Sequence, residues 1–518
     1  MKKFGLTLLV LVFLVSTIIK IFAVSGNNFP FTMDQGRDMV DIRQMVVSHT
    51  PRLVGPTTSI NGVLLGPFWY YFLLPPFIAS GGSPQAVMYW QIIWYQLSVL
   101  FLWWVIKKVN KNIAFITAFL LLLSPTGFYT GHYFWNANAM PLMTAFYFGM
   151  LLLTIKKPST LNLILTGLVA GLSMQIEAAF GILFFPFAFL YFGIINKKLK
   201  PLLHLTFGFV ITLIPQVLFE LRHQFIMTKV LVSEFTGKAV ILGEKMTLDK
   251  RLTERWQSFT DQVRNLSHIP QDYIFLIFLL CLFLLVYQIL KSNKKTISGN
   301  TGFISTLFFI FSAIFYIVFP QQLKQWYVLG ISIPLTLILA GAFAYLWETK
   351  SKINKAIVIG ILIFHFTNAI SAQMDHINNN VLKPSNDPSN LRNLITVIDT
   401  VYKEANGSAF RAYNYVPSVY DYSLNYLYWW YGTKTYGYQP SEVAYLPNQP
   451  EYIPGSKLHW TKTKNASDTD PTMLIIESDK GMPIREQAWL GNFSKLCVMK
   501  EMKFPWNSEL KVLGQCKK

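Results

Sequence analysis

Charge is scarce in this sequence. Asp, Glu, Lys and Arg make up 14% of the 518 residues, against roughly 25% in soluble globular proteins. That excludes an ordinary water-facing surface over most of the chain. Cysteine is scarce too, at three residues, which excludes a disulfide-dense scaffold. There is no internal repeat, no P-loop and no Gly-rich dinucleotide fingerprint. What is plentiful is apolar: 52% of residues are hydrophobic and 16% aromatic, with 14 Trp and 25 Tyr, and mean hydropathy is +0.36. Such aromatics suit the headgroup level of a bilayer.

Apolar runs recur through the first seven-tenths of the chain, at 4–24, 64–80, 86–106, 112–130, 138–155, 160–176, 178–195, 201–221, 272–291, 302–320, 327–347 and 354–372. A helix crosses the hydrocarbon core with about 20 apolar residues. The net charge of +19 raises nucleic acid as a partner. However, the Lys residues stand in short clusters between apolar runs: Lys2–Lys3, Lys107–Lys111, Lys156–Lys157, Lys197–Lys200, Lys291–Lys295 and Lys350–Lys355. That is the positive-inside pattern, so no nucleic-acid partner is expected.

If every cluster faces the cytoplasm, each neighbouring pair encloses an even number of crossings. Three runs lie between Lys3 and Lys107, which is odd. The weak one is 64–80, interrupted by Pro67, Pro75 and Pro76. It reads as in-plane or re-entrant, lining a covered cavity. This leaves about 11 transmembrane helices, with the N-terminus inside and the C-terminus outside. The outer loops are then 25–85, 131–137, 222–271, 320–327 and a tight turn near Gln175–Glu177. The basic, apolar N-terminus also fits a signal peptide, with Ala23-Val24-Ser25 as a loose cleavage site, but its run is longer than the usual ~7–15 residues. An uncleaved first helix is preferred.

Loop 222–271 mixes charge signs and reads as one or two amphipathic interfacial helices, structural rather than chemical. Residues 373–390 are rich in Asn, Asp, Pro and Ser, a linker signal. After them come a helical pattern ending near Gly407, then strand-like TMLIIES and KLCVMKEM. The expected fold is therefore a polytopic α-helical membrane domain (1–372), a linker (373–390) and an extracytoplasmic mixed α/β domain (391–518). Cys281 lies in an apolar run. Cys497 and Cys516 lie in the exported domain, as a disulfide or as two free thiols.

Chemistry concentrates in the outer loops. Asp34, Arg37, Asp38 and Asp41 are neighbours on one face if a helix starts near Met33. A carboxylate beside Arg at a membrane surface serves as a general base or a metal ligand. The plainer reading is a salt-bridged juxtamembrane helix. No convincing metal-ligand cluster is present, so a divalent metal is possible but unsupported. Gln175 and Glu177 sit at a tight turn within apolar sequence, where polar groups are functional candidates. His132, Trp135, Asn136 and Asn138 suit sugar contacts, or an aromatic interfacial belt. Lys324 departs from the Lys-inside pattern and precedes Gln325, Trp326 and Tyr327.

The order of these features resembles the C-type (GT-C) superfamily of membrane glycosyltransferases, which includes protein O-mannosyltransferases and lipid A aminoarabinose transferases. The resemblance rests on Asp34 to Asp38, on Gly66-Pro67-Phe68-Trp69-Tyr70-Tyr71 with Leu74-Pro75-Pro76, on HYFWNANAMPL (His132–Leu142) and on AGLSMQIEAAFGILFFP, in order over residues 1–350. Gln35 stands where many members have Glu, Gly66 where many have His, and the Lys that binds lipid phosphate in some relatives is not evident. The resemblance implies a GT-C-like fold in a bacterial plasma membrane and a polyprenyl-phosphate sugar as donor. It implies an acceptor hydroxyl on protein, lipid or envelope glycan, and inversion at the anomeric carbon. Asp34 is the expected base, with Asp38 second. Arg37, Arg52 and Lys324 are expected phosphate partners. His132, Asn136, Asn138, Gln175, Glu177 and Tyr327 complete the substrate-binding set, and membrane lipids are partners throughout. Two other readings stay open: a lipid-linked saccharide flippase, and a glycan-binding protein that uses the aromatic stretch Tyr413–Tyr438.

Overall fold

The computed structural model describes residues 2–196, 199–236, 246–291, 301–319, 322–447, 461–479 and 481–516. Lys197, Lys198, Lys294 and Lys295 of the Lys clusters fall outside these residues. So do Lys238, Glu244 and Lys245 of loop 222–271.

Among the described residues, eight helices are long and apolar enough to cross a membrane: Gly5–Ala23, Pro84–Lys107, Ala137–Lys156, Leu199–Arg222, Gln271–Gln288, Thr301–Val318, Gln325–Glu348 and Lys352–Val381. Three shorter apolar helices, Lys111–Leu123, Thr160–Ile176 and Ala178–Ile194, lie within or close to the runs at 112–130, 160–176 and 178–195. The chain is an integral membrane protein. Backbone donors and acceptors have no water to bond in hydrocarbon, so helices are the form such runs take. Where two of them meet, small residues set the distance. A Cβ at Gly167 would lie 2.0 Å from Leu205 O, and one at Gly208 2.0 Å from Ile164 O. The helices Thr160–Ile176 and Leu199–Arg222 therefore touch backbone to backbone.

The segment 64–80, with its three prolines, forms one helix, Phe68–Ser80, of 13 residues. Pro67 precedes it and Pro75 and Pro76 lie inside it. A proline removes the N–H that would bond the carbonyl four residues back. Here the carbonyl freed by Pro76, Phe72 O, accepts from Trp90 Nε1 at 2.8 Å, which explains how the helix survives. Loop 222–271 carries two helices, Ile226–Phe235 and the amphipathic Leu248–Arg264.

The chain divides into two compact units. One comprises Met1–Phe22, Arg52–Phe72 and Tyr89–Asp375. The other comprises Ala23–Pro51, Leu73–Met88 and His376–Lys518. The second unit holds five strands: β1 (Arg411–Tyr415), β2 (Glu442–Ala444), β3 (Thr472–Glu477), β4 (Leu496–Lys503) and β5 (Ser508–Gln515). Their order is β2-β1-β3-β5-β4. β1 runs parallel to β2 and β3, and β5 runs antiparallel to β3 and β4. A core of Tyr413, Tyr415, Leu474, Ile476, Trp489, Phe493 and Leu513 covers one face. Helix Leu391–Ala405 begins at Asn390, whose side chain accepts from Arg392 N, and stops at Asn406 in the left-handed conformation. Cys497 and Cys516 form a disulfide, with Cα atoms 5.0 Å apart, which answers the question left open by the sequence.

The aromatic stretch Tyr413–Tyr438 is largely interior. Tyr415, Tyr426 and Tyr428 are fully buried, and Trp430 and Tyr438 nearly so. Tyr402 stacks on Tyr436 at 4.3 Å. The buried rings are core, whereas Tyr420 is 47% exposed.

Candidate active site

The acid-bearing helix is Met33–Val47, in the second unit. Thr32 is its N-cap, and Gln35 Oε1 accepts from Thr32 N at 2.9 Å, completing a capping box. Gln35 thus has a local task that Glu would perform as well. The cap fixes the phase of the helix and puts Asp34, Arg37 and Asp38 on one face. Arg37 Nη1 contacts Asp34 Oδ1 at 2.9 Å, while Nη2 and Nε donate to Asp38 Oδ1 at 2.9 and 3.1 Å. One guanidinium therefore bridges both carboxylates, the fork geometry that Arg alone provides. Their surroundings differ. Asp38 is fully buried, while the Asp34 side chain is 32% exposed. Asp34 also lies in the first helical turn, where the helix dipole favours an anion.

A second group lies in the first unit, at the turn between the apolar helices Thr160–Ile176 and Ala178–Ile194. Glu177 stands outside both helices and caps the second, accepting from Ala179 N at 3.2 Å. Burial pushes its carboxyl up to about 7, against the opposing pull of that N–H. Asn136 Nδ2 donates to Ile176 O at 2.8 Å. Tyr316 OH donates to Ala179 O at 2.9 Å and reaches Tyr327 O at 3.3 Å. Tyr316 and Tyr327 both lie within electrostatic reach of Glu177. Gln175 Oε1 accepts from Phe68 N at 3.1 Å, and its Nε2 donates to Thr212 O. A Cβ at position 66 would come within 2.3 Å of Gln175 Cγ. That is a physical reason for Gly66 where many relatives carry His.

The turn thus gathers Asn136, Gln175, Glu177 and Tyr327. The remaining candidates of this unit have other surroundings. Lys324 Nζ donates to Gln322 Oε1 at 3.3 Å. His132 stacks on Phe128 at 5.8 Å. Asn138 Nδ2 donates to Tyr133 O at 3.1 Å. Arg52 presents its backbone oxygen to Tyr71 OH at 3.0 Å. Trp135 meets Trp326 edge-on at 5.6 Å. Among the described residues, no group of three or more His, Cys, Asp or Glu side chains is disposed to hold a metal ion.

Sequence reasoning missed Arg251, Arg255 and Tyr316. Arg255, only 2% exposed, donates to Tyr316 O and Phe319 O, both at 3.1 Å, and pairs with Glu254. Arg251 donates to Ile317 O at 3.1 Å. Both guanidinium groups thus meet the carbonyl end of helix Thr301–Val318, where cations are favoured. Their signal was the i, i+4 spacing of Arg251 and Arg255 within the mixed-charge loop.

An apolar helical body, an acidic helix in an early loop and a C-terminal α/β unit are the features that the GT-C resemblance implied. The comparisons with known proteins agree. Residues 66–219 match the family model described as dolichyl-phosphate-mannose-protein mannosyltransferase. The fold is similar to that of ArnT from Cupriavidus metallidurans in the apo state, with a TM-score of 0.57 at 12% sequence identity over 98% of each chain. The same protein bound to undecaprenyl phosphate gives a TM-score of 0.52 at 12% identity over 97% of each chain. At that identity the likeness is one of fold. No curated protein sequence matches the chain. The GT-C resemblance read from the motifs therefore holds both in the sequence of residues 66–219 and in the fold. The matched stretch includes Gly66, Asn136, Gln175 and Glu177 and leaves Asp34 to Asp38 outside it.

Proposed function

We propose that this protein is a membrane glycosyltransferase. It moves a sugar from a polyprenyl-phosphate donor to an acceptor hydroxyl at the outer face of the membrane. Its N-terminus is cytoplasmic and its α/β unit extracytoplasmic, in keeping with the Lys clusters. The observation that carries the reading is the Asp34–Arg37–Asp38 arrangement on a capped helix just after the first apolar helix. The matched family region and the likeness to a protein that binds undecaprenyl phosphate support the donor class.

Asp34 is the base in this reading because it is the accessible carboxylate, while buried Asp38 orients the shared guanidinium. Asp34 takes the acceptor proton, and the acceptor oxygen forms its bond to the anomeric carbon from the side opposite the phosphate. The anomeric carbon–oxygen bond to phosphate breaks with its electron pair, releasing polyprenyl phosphate and inverting the centre. Charge building on that phosphate calls for a cation, and Arg52 and Lys324 are the candidates that the sequence offers. Asn136, Gln175, Glu177 and Tyr327 contribute to sugar binding. The test is release of polyprenyl phosphate by purified protein from a set of polyprenyl-phosphate sugars. Asp34→Asn should abolish release while leaving the unfolding midpoint unchanged. A fully active Asp34→Asn would remove Asp34 as base, and no turnover by the parent with any donor would end the transferase reading.

A further inference from the structure

The first unit contains a cavity with the right chemistry for a sugar. Helix Lys111–Leu123 breaks at Ser124, whose hydroxyl accepts from Gly127 N at 2.9 Å and starts the short helix Pro125–Thr130. The break brings Thr126 and Tyr129 opposite the end of helix Leu248–Arg264, where Thr126 Oγ1 donates to Asn265 O at 3.4 Å. Between them lies a cavity of about 130 Å³, lined by these residues together with Asn138, Gln262 and Leu329.

Gln262 is the informative residue. It is only 6% exposed, and it lines the cavity. A carboxamide on a cavity wall offers one acceptor and two donors to whatever fills the cavity. Tyr129, by contrast, is 62% exposed, leaving its ring available at the mouth. No charged side chain lines the cavity, which disfavours phosphate, a group that calls for cationic donors. Carboxamides and hydroxyls beside Tyr129, Leu329, Pro125 and Pro141 offer both donors and acceptors for hydroxyl groups and apolar faces for ring C–H groups.

We propose that this cavity is a saccharide subsite that receives the edge of one neutral pyranose ring of the glycan substrate, with Gln262 and Asn265 as polar contacts that nothing in the motifs assigns. The identity of that ring as substrate rests on the transferase reading; its binding does not. The experiment is saturation-transfer-difference NMR on the full-length protein in nanodiscs, with the methyl glycosides of mannose, glucose, galactose and N-acetylglucosamine as probes. The expected result is transfer to the ring protons of at least one glycoside. Its affinity should fall at least about fivefold, the worth of roughly one hydrogen bond, in Gln262→Leu and in Asn265→Ala. The second variant changes an exposed residue and decides the matter if the first fails to fold. Absence of transfer in the parent would overturn the proposal in favour of a cavity holding ordered water alone. Equal binding in the parent and a folded variant would overturn it as well. A parent that binds a glycoside but releases no polyprenyl phosphate keeps the subsite and ends the transferase reading; a parent that turns over donor but binds none of the probes does the reverse.

Discussion

Gly36 and Ser423 touch through their backbones. A Cβ built on Gly36 would lie 2.3 Å from Ser423 N and 2.6 Å from its Cα. The helix carrying Asp34 is thereby seated on the Tyr422–Leu427 helix, nearly four hundred residues later in the chain. Backbone cannot swing aside as a side chain can. Gly36→Ala should therefore displace the acidic helix, with a loss of about 1–3 kcal/mol as in other overpacked sites. Thermal unfolding of the purified protein reads the loss, and polyprenyl phosphate release should fall with it. A variant matching the parent in both would show that the two segments do not need this contact.

Arg37 is the other half of that arrangement. Its three contacts to Asp34 and Asp38 use different nitrogens of one planar group. Lys keeps the charge but has a single nitrogen, so Arg37→Lys should hold one carboxylate and free the other. Charge-assisted hydrogen bonds contribute about 1.5–3 kcal/mol each. Loss of one corresponds to a fall of roughly 10- to 100-fold in kcat, with little change in KM for the donor. Full activity in Arg37→Lys would mean that the bridge is structural only.

Gly66 and Gln175 make a prediction within the first unit. Gly66→Ala places a methyl group on the Gln175 stem, and Gln175 holds Phe68 N and Thr212 O. The side chain must move, leaving the Phe68 N–H without its partner at about 1–3 kcal/mol. Gln175→Ala should lose the same bonds, so the double variant should cost little more than either single one. Additive losses in a double-mutant cycle would refute the coupling.

The apolar runs were legible because membrane helices follow composition, and the acidic helix because Thr32 and Gln35 frame it. Two of the five strands of the second unit, β3 and β4, showed as the strand-like runs TMLIIES and KLCVMKEM. Other features were not legible, for physical reasons. Pro76 read as a break because the donor to the carbonyl it frees, Trp90 Nε1, sits on another helix. The pairing of Cys497 with Cys516 depends on the β4–β5 register, which two cysteines alone do not specify. Glu177 was visible as an ionisable residue in apolar sequence, but its neighbour Tyr316 was one aromatic among many in a spanning run. Gln262 was hidden because a place on a cavity wall is a property of the fold.

Glu477 gives the second unit a pH dependence whose sign is opposite to the usual carboxylate case. It ends β3, and burial, reinforced by Asp387 and Asp479, pushes its carboxyl from 4.5 up to about 7. Between those values the folded protein holds a proton that the unfolded chain has released. Stability therefore falls as pH rises from about 4.5 to about 7 and is level above that. The shift corresponds to at most about 3 kcal/mol, less whatever solvent screens. Asp479 does not blur the window. Arg485 holds its carboxyl below the ordinary value, so its own contribution is lost only in more acidic solution. Glu477→Gln mimics the protonated form and should remove the slope. The comparison is the unfolding midpoint of full-length parent and variant at pH 5 and pH 8. The parent should unfold more easily at pH 8, and the variant should be less sensitive by the amount that Glu477 contributes. Equal slopes in the two proteins would show that Glu477 titrates normally, with water reaching the end of β3.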